Sequence, residues 1–191
     1  IFRGFSTVVA EADRVDPAVL SEALKHATEV AYKAVIKPVE GTMLTVVRSL
    51  AQAAQEAVRR NLNLEETLEY LVVRGNESLA NTPELLPVLK QAGVVDAGAK
   101  GLLCILEGGL AWLKGEEPVS GDIASQEIFE EKEAAALTEE DIVFPYCTEF
   151  IIRGANLNKE AILRDLENIV GDSLVVVVQD DVAKIHMHTE N

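Results

Sequence analysis

Three side chains late in the chain have the types and spacing to hold a metal ion: the thiol of Cys147 and the imidazoles of His186 and His188. His186 and His188 alternate within VAKIHMHT, which reads as a β-strand, and residues two apart on a strand share a face. Cys147 precedes a second strand pattern, TEFIIR, within reach of a neighbouring strand. A thiolate with two imidazoles suits a borderline metal such as zinc, and three protein ligands leave a fourth position for water or another group. Two of the three histidines in the chain fall in this one HMH. A plainer reading places the histidines on a half-exposed strand face and makes Cys147 a small buried hydrophobe. A third makes the cluster a hydrolytic zinc centre, for which Glu149, two residues after Cys147, is the local general base.

Two loops that lead into helices offer a different chemistry. In KPVEGTM, Lys37 to Met43, the residues Pro38, Gly41 and Thr42 shape a tight turn before a helix N-terminus, whose free N–H groups suit a phosphate. In VVDAG, Val94 to Gly98, Asp96 is placed to cap the next helix and Gly98 permits close backbone approach. Taken singly, each loop is equally explained as a capped helix-helix turn. Glu40 is left out of a phosphate site, because a carboxylate repels phosphate unless a cation intervenes. His26 has no companion ligand and reads as a surface or boundary residue. Cys104 reads as core, and Trp112, Gly108 and Gly109 as packing.

The elements that must position these groups follow from periodicity. Apolar residues recur at helical spacing over Pro17 to Val35, Met43 to Val58, Leu64 to Leu79 and Ala99 to Leu113, so the first part is a helical bundle. Thr82-Pro83-Glu84 reads as a cap, a proline in the first turn and an acid, starting a short helix that Gly93 closes. From Glu116 to Asp141 ten acidic residues face the single Lys132, the composition of a solvated linker. Beyond Pro145 the pattern is strand, helix (NKEAILRDLENI), strand (SLVVVV), turn and strand. The fold class expected is therefore multi-domain: an all-α bundle over residues 1–115, a linker over 116–141 and a small β-α-β-β domain over 142–191.

A formal charge of −15 argues against nucleic acid and anionic membrane surfaces as partners. No apolar run approaches the roughly 20 residues that span a bilayer. Two cysteines in different kinds of segment favour a reducing cytosol over a disulfide framework. IFRGF at the start reads as the end of an amphipathic helix and the last strands leave the sheet short of elements, so the chain reads as cut at both ends.

Taken together and in this order, these segments resemble the nucleotide-binding domain of the dihydroxyacetone kinase type. AYKAVIKPVEGTMLTVVR (Ala31 to Arg48) and NTPELLPVLKQAGVVDAGAKGLLCILEG (Asn81 to Gly108) resemble, more specifically, the bacterial fatty acid kinase catalytic subunit. That resemblance implies a helical barrel that binds ATP with magnesium, followed by a zinc-bearing middle domain. It places Thr42, Met43, Asp96 and Gly98 on the nucleotide pocket, and YCTEF and HMHT on a zinc triad of Cys147, His186 and His188. The reaction implied is phosphorylation of a fatty acid carboxylate presented by a separate fatty-acid-binding protein, in the cytoplasm, with homodimerisation through the middle domain. A dihydroxyacetone-like small-molecule kinase is the neighbouring alternative. The family's magnesium-binding aspartates and its glycine- and serine-containing phosphate loop lie upstream of the stretch that resembles IFRGF. The residues in hand therefore carry no catalytic group, and this chain alone is expected to be inactive.

Overall fold

A computed structural model of the chain describes residues 1–35, 37–116, 143–169 and 171–190. The described residues divide into two compact units, residues 1–30 with 39–116 and residues 31–35 and 37–38 with 143–169 and 171–190. Nearly all of the acidic stretch read as a linker lies outside the described residues.

The first unit is built from α1 (Phe2–Val9), α2 (Pro17–Ala34, its last turn counted with the second unit), α3 (Met43–Arg59), α4 (Leu64–Ala80), α5 (Thr82–Leu85), α6 (Pro87–Ala92) and α7 (Ala97–Leu113). Local signals set the ends. Asp16 accepts from Val19 N–H at 2.9 Å at the start of α2. Asn63 and Glu66 form a reciprocal capping box on α4, at 3.0 and 2.9 Å, an arrangement worth about 1 kcal/mol. The segment expected as one short helix is two, because Pro87 forces Leu86 into an extended conformation (φ −125°, ψ 102°). Its cap also differs from expectation. Thr82 is the first helical residue, and its hydroxyl donates back to the Leu79 carbonyl at 2.7 Å instead of capping forward. Gly93, left-handed at φ 66°, closes α6 as expected.

Core packing centres on α3, α4 and α7. Leu50, Leu71 and Leu103 are wholly buried, and each contributes about 2–5 kcal/mol relative to alanine. The helices approach closely at Gly75, where a Cβ would lie 2.4 Å from Leu103 Cδ2 and 2.9 Å from Leu50 Cδ2. The outer face of α7 corrects three expectations. Cys104 is exposed rather than core, Trp112 is 75% exposed, and a Cβ added at Gly108 or Gly109 would meet nothing within 4 Å. The helix is apolar nearly all round, so periodicity alone could not choose its buried face. Gly101 is equally open. Gly101→Ala should therefore stabilise the unit by about 0.5–1 kcal/mol through helix propensity. The urea midpoint should rise at unchanged m; a fall would mean that this face is packed.

The second unit holds β1 (Tyr146–Arg153), α8 (Lys159–Leu166), β2 (Gly171–Gln179) and β3 (Val182–Thr189). The sheet is antiparallel in the order β1-β3-β2. Asn158 caps α8 by accepting from Ala161 N–H at 2.9 Å. One sheet face carries Ala183, Ile185 and Val176, all wholly buried, and packs on Ile162, Leu163 and Leu166 of α8. Strand alternation consigns Cys147, Glu149, Lys184, His186 and His188 to the opposite face. A bulge in β2, with Ser173 at φ 55°, resets parity: His188 pairs with Asp172 but His186 pairs with Val175, three residues on. Leu174 thereby reaches the core side.

Candidate functional site

In the first unit, the two loops singled out in the sequence meet. Thr42 caps α3: its hydroxyl accepts from Leu44 N–H at 3.3 Å and donates to the Val39 carbonyl at 2.8 Å. Met43 is the first residue of α3, and its side chain lies against the start of α7, where a Cβ on Gly98 would be 2.6 Å from Met43 Cε. Asp96 caps α7 by accepting from Ala99 N–H at 2.7 Å. Thr42, Met43, Asp96 and Gly98 are all partly exposed, so this junction of two helix N-termini faces solvent. Helix N-termini carry a positive dipole end that favours an anion, and at α7 the capping Asp96 carboxylate offsets part of that charge unless a cation accompanies the anion.

Residues outside the sequence-derived set build the walls. Glu40 accepts from both terminal guanidinium nitrogens of Arg48, Nη1 at 2.7 Å and Nη2 at 2.6 Å, and from the Thr45 hydroxyl at 2.6 Å. Thr45 in turn accepts from Gly41 N–H at 2.8 Å. Glu40 thus fastens the loop to α3. Gly41 sits at φ +83°, and a Cβ there would be 2.6 Å from Leu86 Cβ and 2.8 Å from the Thr82 carbonyl oxygen. Buried Thr82 also accepts from Asp96 N–H at 3.2 Å. Spacing gives little warning of these ties: Glu40 and Arg48 are eight apart across a loop-helix junction, and Thr82 looks like an ordinary cap.

In the second unit, one ligand atom from each of Cys147, His186 and His188 lies within 4.8 Å of the others. Cross-strand register explains this, since Cys147 pairs with His188 and the next same-face pair is Glu149 with His186. Cys147 Sγ is 3.8 Å from His186 Nδ1, and the two imidazoles stand edge to face with centroids 5.2 Å apart. Cys147 is exposed, which removes the reading of it as a buried hydrophobe. Glu149 Oε1 lies 3.0 Å from His186 Nδ1, and its other oxygen lies 3.3 Å from Lys184 Nζ. The hydrogen bond with His186, then the one with Lys184, holds the Glu149 carboxyl below the usual carboxylate range. A soft thiolate and two imidazoles converging at this distance fit a tetrahedral zinc with one open position.

Comparison with known proteins agrees with both halves. Residues 1–111 match the DAK2 domain, which defines the first unit as that of a kinase family. Residues 143–191 match the middle domain of FakA-like fatty acid kinase proteins. The chain belongs to the DAK2-domain proteins of this FakA-like fatty acid kinase type. Its relatives include an uncharacterized protein of Staphylococcus aureus (strain bovine RF122 / ET3-1), 42% identical over 199 residues that take in all of this chain and 36% of that protein. Another, from Staphylococcus aureus (strain USA300), is 42% identical over 198 residues, with the same coverage. The chain therefore spans about a third of the length of the curated relatives it matches, 36% in each case. Among the described residues no helix is long and apolar enough to cross a membrane.

Proposed function

We propose that this chain supplies part of the nucleotide site and the metal-bearing middle domain of a cytoplasmic kinase that phosphorylates a fatty acid carboxylate. The single observation that carries the reading is the junction of Met43 with Gly98, two helix N-termini brought edge to edge in a domain of a kinase family. Here Thr42 and Met43 at the start of α3, with Asp96 and Gly98 at the start of α7, together form one wall of the ATP pocket. Magnesium bound to ATP would neutralise charge on the transferring phosphoryl group, and what these residues contribute is binding and orientation of the nucleotide. The acyl chain comes on a separate fatty-acid-binding protein, in keeping with the middle domain's family.

In the second unit, Cys147, His186 and His188 would hold zinc, which supplies a rigid cross-link between β1 and β3. A structural role suits this set better than phosphoryl transfer, whose chemistry calls for hard oxygen ligands. The test uses a protein at the length of the Staphylococcus relatives, with ATP, magnesium, a fatty acid and its carrier. ATP turnover is expected, and Gly98→Val should raise the KM for ATP at least about 10-fold, because the added side chain displaces Met43. Equal KM values would remove Gly98 from the pocket.

A further inference from the structure

Each imidazole has two nitrogens, and the surroundings of His186 bear on which of them would meet a metal held by Cys147, His186 and His188. Sulfur and nitrogen bound to one tetrahedral zinc stand about 3.6 Å apart, from bond lengths of about 2.3 and 2.05 Å. The 3.8 Å from Cys147 Sγ to His186 Nδ1 is close to that value. Yet the same Nδ1 lies 3.0 Å from Glu149 Oε1. One nitrogen cannot both donate a proton to a carboxylate and give its lone pair to a metal. Glu149 is also held from its far side, because its second oxygen lies 3.3 Å from Lys184 Nζ. Lys184, Glu149 and His186 thus form a row on one sheet face, with a charge-assisted hydrogen bond at its centre.

Resting on the zinc reading above, we propose that Glu149, braced by Lys184, is a positioning residue: it accepts the Nδ1 proton of His186 and so presents Nε2 to the metal. Such a carboxylate-histidine pair fixes ring tautomer and orientation before the metal arrives, and its loss typically weakens metal binding about 10–100-fold. Register places this acid as the next same-face residue after Cys147 on β1, opposite the strand that alternates Lys184, His186 and His188.

The experiment is a cobalt(II) titration of the metal-free chain, read by its visible bands, in wild type, Cys147→Ser, Glu149→Gln and Glu149→Ala. Wild type should show tetrahedral bands with a thiolate charge-transfer band that Cys147→Ser removes. Glu149→Ala should keep the bands at saturation but bind about 10–100-fold more weakly. Glu149→Gln, whose carbonyl still accepts from Nδ1, should stay within a few-fold of wild type. In the zinc-loaded protein, long-range proton-nitrogen NMR correlations should show Nδ1 of His186 protonated and Nε2 metallated. Unchanged affinity in Glu149→Ala, or a metallated Nδ1, overturns the role of Glu149 while leaving the zinc triad standing. Failure of wild type to take up cobalt overturns the triad itself, and the role of Glu149 with it.

Discussion

Replacing Gly41 with alanine should lower the stability of the helical unit by about 2–4 kcal/mol, one of the two largest effects expected in the molecule. Two causes add. The backbone at φ +83° is one that residues with a Cβ rarely adopt, and the new methyl would press on the Thr82 carbonyl and on Leu86, 2.8 and 2.6 Å away. Neither obstacle is the free end of a flexible side chain, so relief requires the loop to move off α5. Movement would in turn loosen the bond from Gly41 N–H to Thr45 and the carboxylate of Glu40 behind it. Thermal unfolding followed by circular dichroism should show the helical transition fall by roughly 10 °C. A midpoint within a degree or two of wild type would mean that the loop accepts a side chain and is not the tight junction described.

Substituting Cys147 with serine should abolish metal retention. Serine is a harder and far weaker ligand at neutral pH, and two imidazoles alone hold zinc more weakly by a factor of more than about 100. In wild type, zinc at a thousandfold excess over its dissociation constant would stabilise the second unit by about 4 kcal/mol. Metal content after dialysis and the shift of the unfolding midpoint on adding zinc provide two independent readings. Both should vanish in Cys147→Ser; the same zinc content in the two proteins would defeat the triad. Because the ligands must be deprotonated to bind, zinc uptake by wild type should release protons and zinc retention should weaken as the solution is acidified.

The helices were legible in the sequence because their ends carry strong local chemistry. Asp16, Thr42, Asp96 and Gly93 each act within a few residues of themselves, so spacing along the chain is a sufficient guide. The break at Leu86 was equally local, yet Pro87, which causes it, lies beyond a convincing helical start at Thr82-Pro83-Glu84 in a segment that reads as one helix. The buried face of α7 was not legible, since an all-round apolar helix leaves the choice to its neighbours, and those neighbours turned Cys104 and Trp112 outward. At the metal cluster, alternation revealed that His186 and His188 share a face. It could not reveal the pairing of Glu149 with His186, which depends on strand register across 37 residues. Glu40 escaped for the opposite reason. Its partners, Thr45 and Arg48, are near in sequence, but the turn that folds it back onto α3 needs the left-handed Gly41.

Thr82 joins more of the helical unit than its size suggests. Its hydroxyl donates to Leu79 and accepts from Asp96 N–H, its carbonyl accepts from Leu86 N–H, and that same carbonyl is what leaves Gly41 no room for a side chain. Three stretches of chain are therefore locked by one buried residue. Freeing the Asp96 loop or the Leu86 break costs a hydrogen bond to Thr82, and the Gly41 loop packs on the same carbonyl, so this end of the bundle should open as a unit and not loop by loop. A nucleotide that settles over the contact of Met43 with Gly98 would then meet a surface already rigid, with little ordering left to do at the moment of binding.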